Sequence, residues 1–196
     1  MNALDDWMRC YGSDKASAVD KAHLRPHDYC RRVYQPLLGP LRDQPVKLLE
    51  LGWGEYDPVR GDHANPDNGG ASARAWHNFF DHPASHVTVV ELEPKNFGDA
   101  AQFPRLSLFA GCDATSSATA DMVGRVRGPF DVIVDDASHI SSLTVAAFKL
   151  WWPWLAPGGY YIVEDLHSSY HATFYGPQEA NENPGAHAPT AVNFFK

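Results

Sequence analysis

Phe130-Asp131-Val132-Ile133-Val134 runs straight into Asp135-Asp136-Ala137-Ser138-His139. The run is apolar and β-branched, as a strand buried on both faces is. It stops in two carboxylates, and a histidine follows three residues after the second. Four other segments have a similar form. Val46 to Leu51 leads into glycine-rich sequence, His86 to Leu92 ends in acids, Leu106 to Ala110 ends at Gly111, and Tyr160 to Val163 runs into Glu164-Asp165. Four of the five strands end in acidic residues, and the fifth ends two residues before Asp113. The stretches 71–81, 115–125 and 141–152 between them suit helices. Strands alternating with helices predict an α/β, Rossmann-like, doubly wound parallel sheet. In such sheets ligands sit beyond the carboxyl ends of the strands, where these acids fall.

A chain of 196 residues, 44% hydrophobic and 20% charged, suits one globular domain. Residues 1–45 read as an N-terminal helical cap whose longest helix lies near 27–38 and stops at Gly39-Pro40. Residues 46–196 form the cofactor-binding domain. The net charge of −8, with scattered Lys and Arg, excludes a nucleic-acid footprint. Cys10, Cys30 and Cys112 lack metal or disulfide spacing, which fits a reducing compartment. The acidic start has no apolar leader core, and no apolar run reaches the roughly 18 residues of a membrane span. These features predict a cytoplasmic protein with no membrane partner. The polar loop 55–70 is long enough to be functional, and 176–189 reads as a lid or a disordered loop. The end, Thr190 to Lys196, reads as a helix barely begun. The sheet is therefore expected to lack closing strands, either as a shortened form or with its edge covered by a partner subunit, which predicts a homodimer or higher homo-oligomer.

Glu50-Leu51-Gly52-Trp53-Gly54 follows the first strand, and its glycines allow a tight turn and close backbone approach. Asp57 stands where a dinucleotide fingerprint needs a third glycine. Glu91 ends the second strand, where a ribose diol finds its acidic partner, and Glu93 competes for that role. Gly111-Cys112-Asp113 is where an adenine pocket would lie. Asp135-Asp136 and Glu164-Asp165 end consecutive strands, which are neighbours in a doubly wound sheet, so four carboxylates converge. They cannot all stay ionised without a cation. A hard divalent ion, Mg²⁺ first, suits such oxygens. His139, with an unperturbed pKa of about 6.5, is placed to act as a general base on a hydroxyl held there. Each residue also has a plainer reading: Asp136 or Ser138 as a helix cap, Glu164 and Asp165 as solvated strand ends, His139 as a surface histidine. The whole set at two adjacent strand ends favours function.

The chain resembles the metal-dependent class I sugar O-methyltransferases, both the macrolide mycinamicin type and the mycobacterial mannoside type. The resemblance rests on Tyr11-Gly12-Ser13-Asp14-Lys15, His27 with Tyr29 and Tyr34, Leu49-Glu50-Leu51-Gly52, Gly69-Gly70-Ala71-Ser72, Phe130 to His139, and Pro157 through Tyr170. It implies S-adenosyl-L-methionine as methyl donor and Mg²⁺ held by Asp136, Glu164 and Asp165. It implies His139 as base and a vicinal sugar diol as acceptor, with His167 and Tyr170 near it. For the cofactor it implies Glu50, Gly52, Glu91, Tyr11, Ser13, Ser72, Asp113 and Asp135. The chain departs from the family at Gly111-Cys112-Asp113, where Gly-Asp-Gln is usual, and at Trp53, which is expected to narrow the cofactor pocket.

Three other functions share some of these features. A nicotinamide-dependent reductase would use the Tyr11-x-x-x-Lys15 spacing, although it precedes the first strand. A non-catalytic homologue that binds only cofactor would suit the short sheet. A catechol-type O-methyltransferase would share cofactor and metal and differ in acceptor. Trp151-Trp152-Pro153-Trp154 is expected to pack under the sheet or at a subunit contact.

Overall fold

The computed structural model describes residues 3–18, 27–54, 69–170 and 190–196. Its strands are β1 (Lys47–Leu51), β2 (His86–Glu91), β3 (Leu106–Ala110), β4 (Phe130–Asp135) and β5 (Leu155–Val163). They form one parallel sheet in the order β3-β2-β1-β4-β5. Leu51 pairs with both Val90 and Asp135, and Asp135 pairs with Val163. The next residues along the rim are therefore Gly52, Glu91, Asp136 and Glu164, so the register alone brings the acids of three strands into a row.

The helices are α1 (Leu4–Tyr11), α2 (Gln35–Leu38), α3 (Ala71–Phe79), α4 (Ser117–Arg127), α5 (Ser141–Trp151) and α6 (Ala191–Phe195). Alternate strand residues point to opposite faces. Leu48, Val87, Val89, Val132 and Val134 pack with Leu4, Met8, Leu38, Trp76 and Phe79 of α1–α3. Leu49, Leu51, Val90 and Ile133 pack with Ala120 and Val123 of α4 and Ala147 and Trp151 of α5. Each fully buried aliphatic or aromatic side chain contributes roughly 1.5–3 kcal/mol, so both faces are firmly covered.

Two expectations need correction. The helix expected near 27–38 starts later, because Asp28 is left-handed (φ 58°). It opens as a π-helical turn at Cys30–Tyr34, continues as α2, and passes Gly39-Pro40 in a 3-10 turn, Gly39–Leu41. Pro at the start of that turn lacks only an N–H that the turn does not need. The last strand begins at Leu155, five residues before the expected start. Phe130 pairs with Leu155 but Val132 with Tyr160, so Ala156-Pro157-Gly158-Gly159 bulges out of the ladder. Pro and Gly are tolerated there because β5 lies at the edge.

Trp151 is fully buried and edge-on to Phe130, and Trp154 lies against Gly124, where any Cβ would strike its ring. Trp152 stays 53% exposed. The C-terminal residues form the short α6 as expected, capped by Thr190, and Phe194 and Phe195 sit 5.8 and 5.1 Å from the Phe148 ring. Residues 55–68 and the expected lid at 176–189 lie outside the described residues.

Candidate active site

Glu50 lies on the α1–α3 face of β1 and is 1% exposed. Neither of its carboxylate oxygens has a hydrogen-bond partner of good geometry. Burial pushes its carboxyl up to about 7, against the pull of Lys15, Ser72 and Trp76. A buried acid whose neighbours Ser72 and Trp76 fall outside good hydrogen-bond geometry is an unusual feature that points to a ligand. Gly52 follows in the left-handed region (φ 101°), and a Cβ there would run into the Asp136 carbonyl oxygen. The Gly52 N–H donates to Val90 O (2.9 Å) and the Asp136 N–H to Leu51 O (3.0 Å), so the turn is clasped between β2 and β4.

Glu91 accepts the Trp53 N–H (2.7 Å) on one oxygen and the Glu93 N–H (2.8 Å) on the other. The glycine turn is thus tied to Glu91, while Glu93 is exposed and contributes only its backbone. Trp53 does not stand in the open turn: its indole is 2% exposed and lies against Gly69, Gly70, Phe97 and Arg74. Ser72 opens α3 beside Glu50. Asp113 is exposed, and its Oδ1 accepts both the N–H and the hydroxyl of Thr115 at 2.7 Å. Asp135 is buried on the opposite face of the sheet from Glu50, and burial pushes it up to about 7.

Asp136, Glu164 and Asp165 meet at the ends of β4 and β5. Each has one oxygen anchored by a protein donor. The Lys15 ammonium contacts Asp136 Oδ2 and lies 3.0 Å from Glu164 Oε1. The Tyr34 hydroxyl donates to the same Glu164 oxygen, and the Tyr29 hydroxyl donates to Asp165 Oδ1 at 2.7 Å. His139 Nε2 sits between the other two aspartate oxygens, 3.6 Å from Asp136 Oδ1 and 3.7 Å from Asp165 Oδ2. One ligand atom each from Asp136, His139 and Asp165 lies within 4.8 Å of the others.

The electrostatics follow from this geometry. Burial alone would lower the Lys15 pKa, but Asp136 and Glu164 outweigh it and hold the ammonium well above its usual value. Burial and the Asp136 charge push Glu164 up, opposed by Lys15 and Tyr34. Burial also pushes Asp165 up, but the Tyr29 hydrogen bond and the His139, His27 and His167 side chains hold it below the usual carboxylate range. One ammonium contacts two of the three carboxylates, and Asp165 has no lysine or arginine beside it among the described residues. That donor set of hard oxygens with surplus negative charge fits a divalent cation.

Backbone conformation points to the same place. His139 (φ 55°) and Asp165 (φ 52°) are two of three non-glycine residues with positive φ among those described. Such geometry costs free energy and clusters at functional sites. It is held here by Ser168, whose hydroxyl donates to the His139 carbonyl (2.9 Å) and whose N–H donates to the Asp165 carbonyl (2.9 Å). Beside the acids opens a cavity of about 260 Å³, lined by Tyr29, Val33, Tyr34, Ile162, Leu166 and His167 among others.

Some expected site residues join this group and others do not. His167 borders the cavity, with Nδ1 3.8 Å from Asp165, and Tyr170 is exposed at the end of the following turn. Ser13 is buried and its hydroxyl accepts the Lys15 N–H (3.3 Å), so it supports Lys15. Tyr11 stands apart: its hydroxyl accepts from Asn78 (2.6 Å), near the opposite end of α3 from Ser72. Tyr11 and Lys15 therefore share no site, which removes the geometry a reductase needs. Lys15, Tyr29 and Tyr34, which stand out in the sequence only through the resemblance, are the partners of the acids. The surplus of carboxylates calls for a cation, and the Lys15 ammonium answers part of that demand.

A doubly wound sheet with a glycine turn after β1, an acid ending β2, and acids ending β4 and β5 has the class I methyltransferase fold. Residues 68–166 match the family described as a methyltransferase domain, and the chain belongs to that family. It is 32% identical over 164 residues to the 8-demethyl-8-alpha-L-rhamnosyl tetracenomycin-C 2'-O-methyltransferase of Streptomyces olivaceus, covering 84% of this chain and 38% of that one. It is 32% identical over 144 residues to the mycinamicin VI 2''-O-methyltransferase of Micromonospora griseorubida, covering 74% and 33%. Among solved structures it resembles MycE, a methyltransferase from the mycinamycin pathway in complex with Mg, SAH and mycinamycin VI. The TM-score is 0.76 at 26% identity, over 98% of this chain and 46% of that one. The chain thus spans less than half the length of these relatives.

Proposed function

We propose that the chain carries the methyl-transfer site of an S-adenosylmethionine- and Mg²⁺-dependent sugar O-methyltransferase acting on a glycoside, such as a natural-product deoxysugar or a mannoside. The observation that carries this reading is the set Asp136, Glu164 and Asp165, each with one oxygen anchored and His139 between two of them. The relatives named for sugar O-methylation support the acceptor class. The MycE complex with Mg and SAH supports the cofactors.

In this reading Asp136, Glu164 and Asp165 hold the divalent ion, which would polarise an acceptor hydroxyl and lower its pKa. The acceptor sugar lies in the cavity beside Tyr29, Val33 and His167, and Tyr170, exposed at the end of the turn that follows, would reach toward it. His139 Nε2 takes the hydroxyl proton as general base while the oxygen attacks the sulfonium methyl. The bound donor would supply the methyl group to that oxygen, its C–S electrons staying on sulfur as S-adenosylhomocysteine. Glu50 receives the ammonium end of the donor, Gly52 and Ser72 frame it, and Glu91 faces its ribose diol. Ser13 acts through Lys15, Asp135 closes the floor on the far face, and Asp113 borders the adenine end.

We read the protein as a cytoplasmic homo-oligomer. Three free cysteines fit a reducing compartment, and β5, which ends the sheet among the described residues, suits a subunit contact. No described helix is long and apolar enough to cross a membrane. The test is transfer of labelled methyl from S-adenosylmethionine to a panel of α-L-rhamnosides, olivosides and mannosides, with Mg²⁺ or with EDTA. Labelled glycoside only with Mg²⁺ is expected. Transfer undiminished in EDTA would refute the metal role.

A further inference from the structure

Lys15 takes no part in the proton or methyl transfer above, yet its side chain is 3% exposed and its ammonium touches two of the three acids. Burying a lysine is costly unless it is paired. This one is held by design of the chain around it. Gly12 ends α1 in the left-handed conformation, and Ser13 N–H returns to Met8 O (2.9 Å). Ser13 Oγ accepts the Lys15 N–H, and the Lys15 carbonyl accepts from Cys30 N–H (3.0 Å). The backbone of residue 15 is thus fixed between α1 and the helical turn that carries Tyr34.

The ammonium divides each acid in two. It takes Asp136 Oδ2 and Glu164 Oε1, leaving Asp136 Oδ1 turned toward His139. The oxygens it occupies are unavailable to any other cation, and its charge repels one brought to the free oxygens. We propose that Lys15 is a positioning residue, the protein's own counter-ion for Asp136 and Glu164. It keeps the two acids assembled when no metal is bound and holds down the affinity of the site for divalent ions. Groups that hydrogen-bond to metal ligands typically favour metal affinity by about 10–100-fold through orientation. Here charge repulsion at contact distance is stronger than the loss of orientation, so removing the ammonium tightens binding. The inference rests on the metal reading of the site.

The experiment measures Mn²⁺ binding by electron paramagnetic resonance, and the melting temperature in EDTA and in Mg²⁺, for wild type and Lys15→Met. Lys15→Met should bind Mn²⁺ at least about tenfold tighter, melt lower than wild type in EDTA, and recover in Mg²⁺. Lys15→Gln keeps a hydrogen-bond donor without the charge and carries the same expectation, should Lys15→Met not fold. Unchanged or weaker Mn²⁺ binding by the variants, with wild type binding normally, overturns the counter-ion role alone. Wild-type protein that binds no Mn²⁺ overturns both this role and the metal reading.

Discussion

His139 and Glu50 are the residues on which the proposed chemistry turns, and they fail differently when changed. His139→Ala should lower turnover by roughly 10²–10⁴ while S-adenosylhomocysteine binding stays near wild type, because the imidazole moves a proton and touches no donor atom. Wild-type turnover would remove it from the base role. Glu50 has a folded-state pKa of about 7 against an ordinary 4.5. A carboxyl raised on folding gives stability that is full below the unfolded pKa and lost as pH rises through the folded one. Metal-free wild type should therefore weaken between about pH 4.5 and 7, and Glu50→Gln should weaken less, keeping only the loss from Asp135, which burial also pushes up to about 7, and from Glu164. Above pH 7 the variant should be more stable by up to roughly 3 kcal/mol, read by urea unfolding at pH 5 and 8. Both residues were legible in the sequence, since each stands at the end of an apolar run. Lys15, Tyr29 and Tyr34 were not, because their contacts with the acids span more than 100 positions and leave no periodic trace.

The elements decide which acids meet. β1 and β4 are locked where the Gly52 turn passes under the Asp136 carbonyl. Gly52→Ala must both adopt a positive φ and displace that carbonyl, so it should cost at least about 2 kcal/mol and weaken cofactor binding together with metal binding. A variant as stable as wild type would contradict the packing of this turn. The β-branched runs made four strands readable to within a residue or so, and the intervening helices followed. β5 was only half readable, since its first residues bulge through Pro157-Gly158-Gly159, which read as a turn. The helical segment that carries Tyr34 starts later than its expected bound because Asp28, tied to Arg31 and Arg32, is left-handed, a conformation its residue type does not announce.

At the scale of the whole molecule, the N-terminal helices and the sheet share one core, and Lys15 fastens the first to the carboxyl ends of the second. A cation bound only by the folded chain should therefore stabilise all of it. Mg²⁺ at 100 times its dissociation constant should add about 2.7 kcal/mol, a rise in melting temperature of roughly 5–10 °C, detectable by scanning calorimetry. The alternation of strands and helices made the fold legible. The reach of the N-terminal segment over the site was not, because nothing local in residues 1–45 states which end of the sheet they cover. The central claim is that this sheet binds the methyl donor beside an acidic metal site. Its most direct test is calorimetric titration of the chain with S-adenosylhomocysteine, with and without Mg²⁺. Saturable one-site binding is expected, weakened in Glu50→Gln. Absence of binding at millimolar ligand would contradict it.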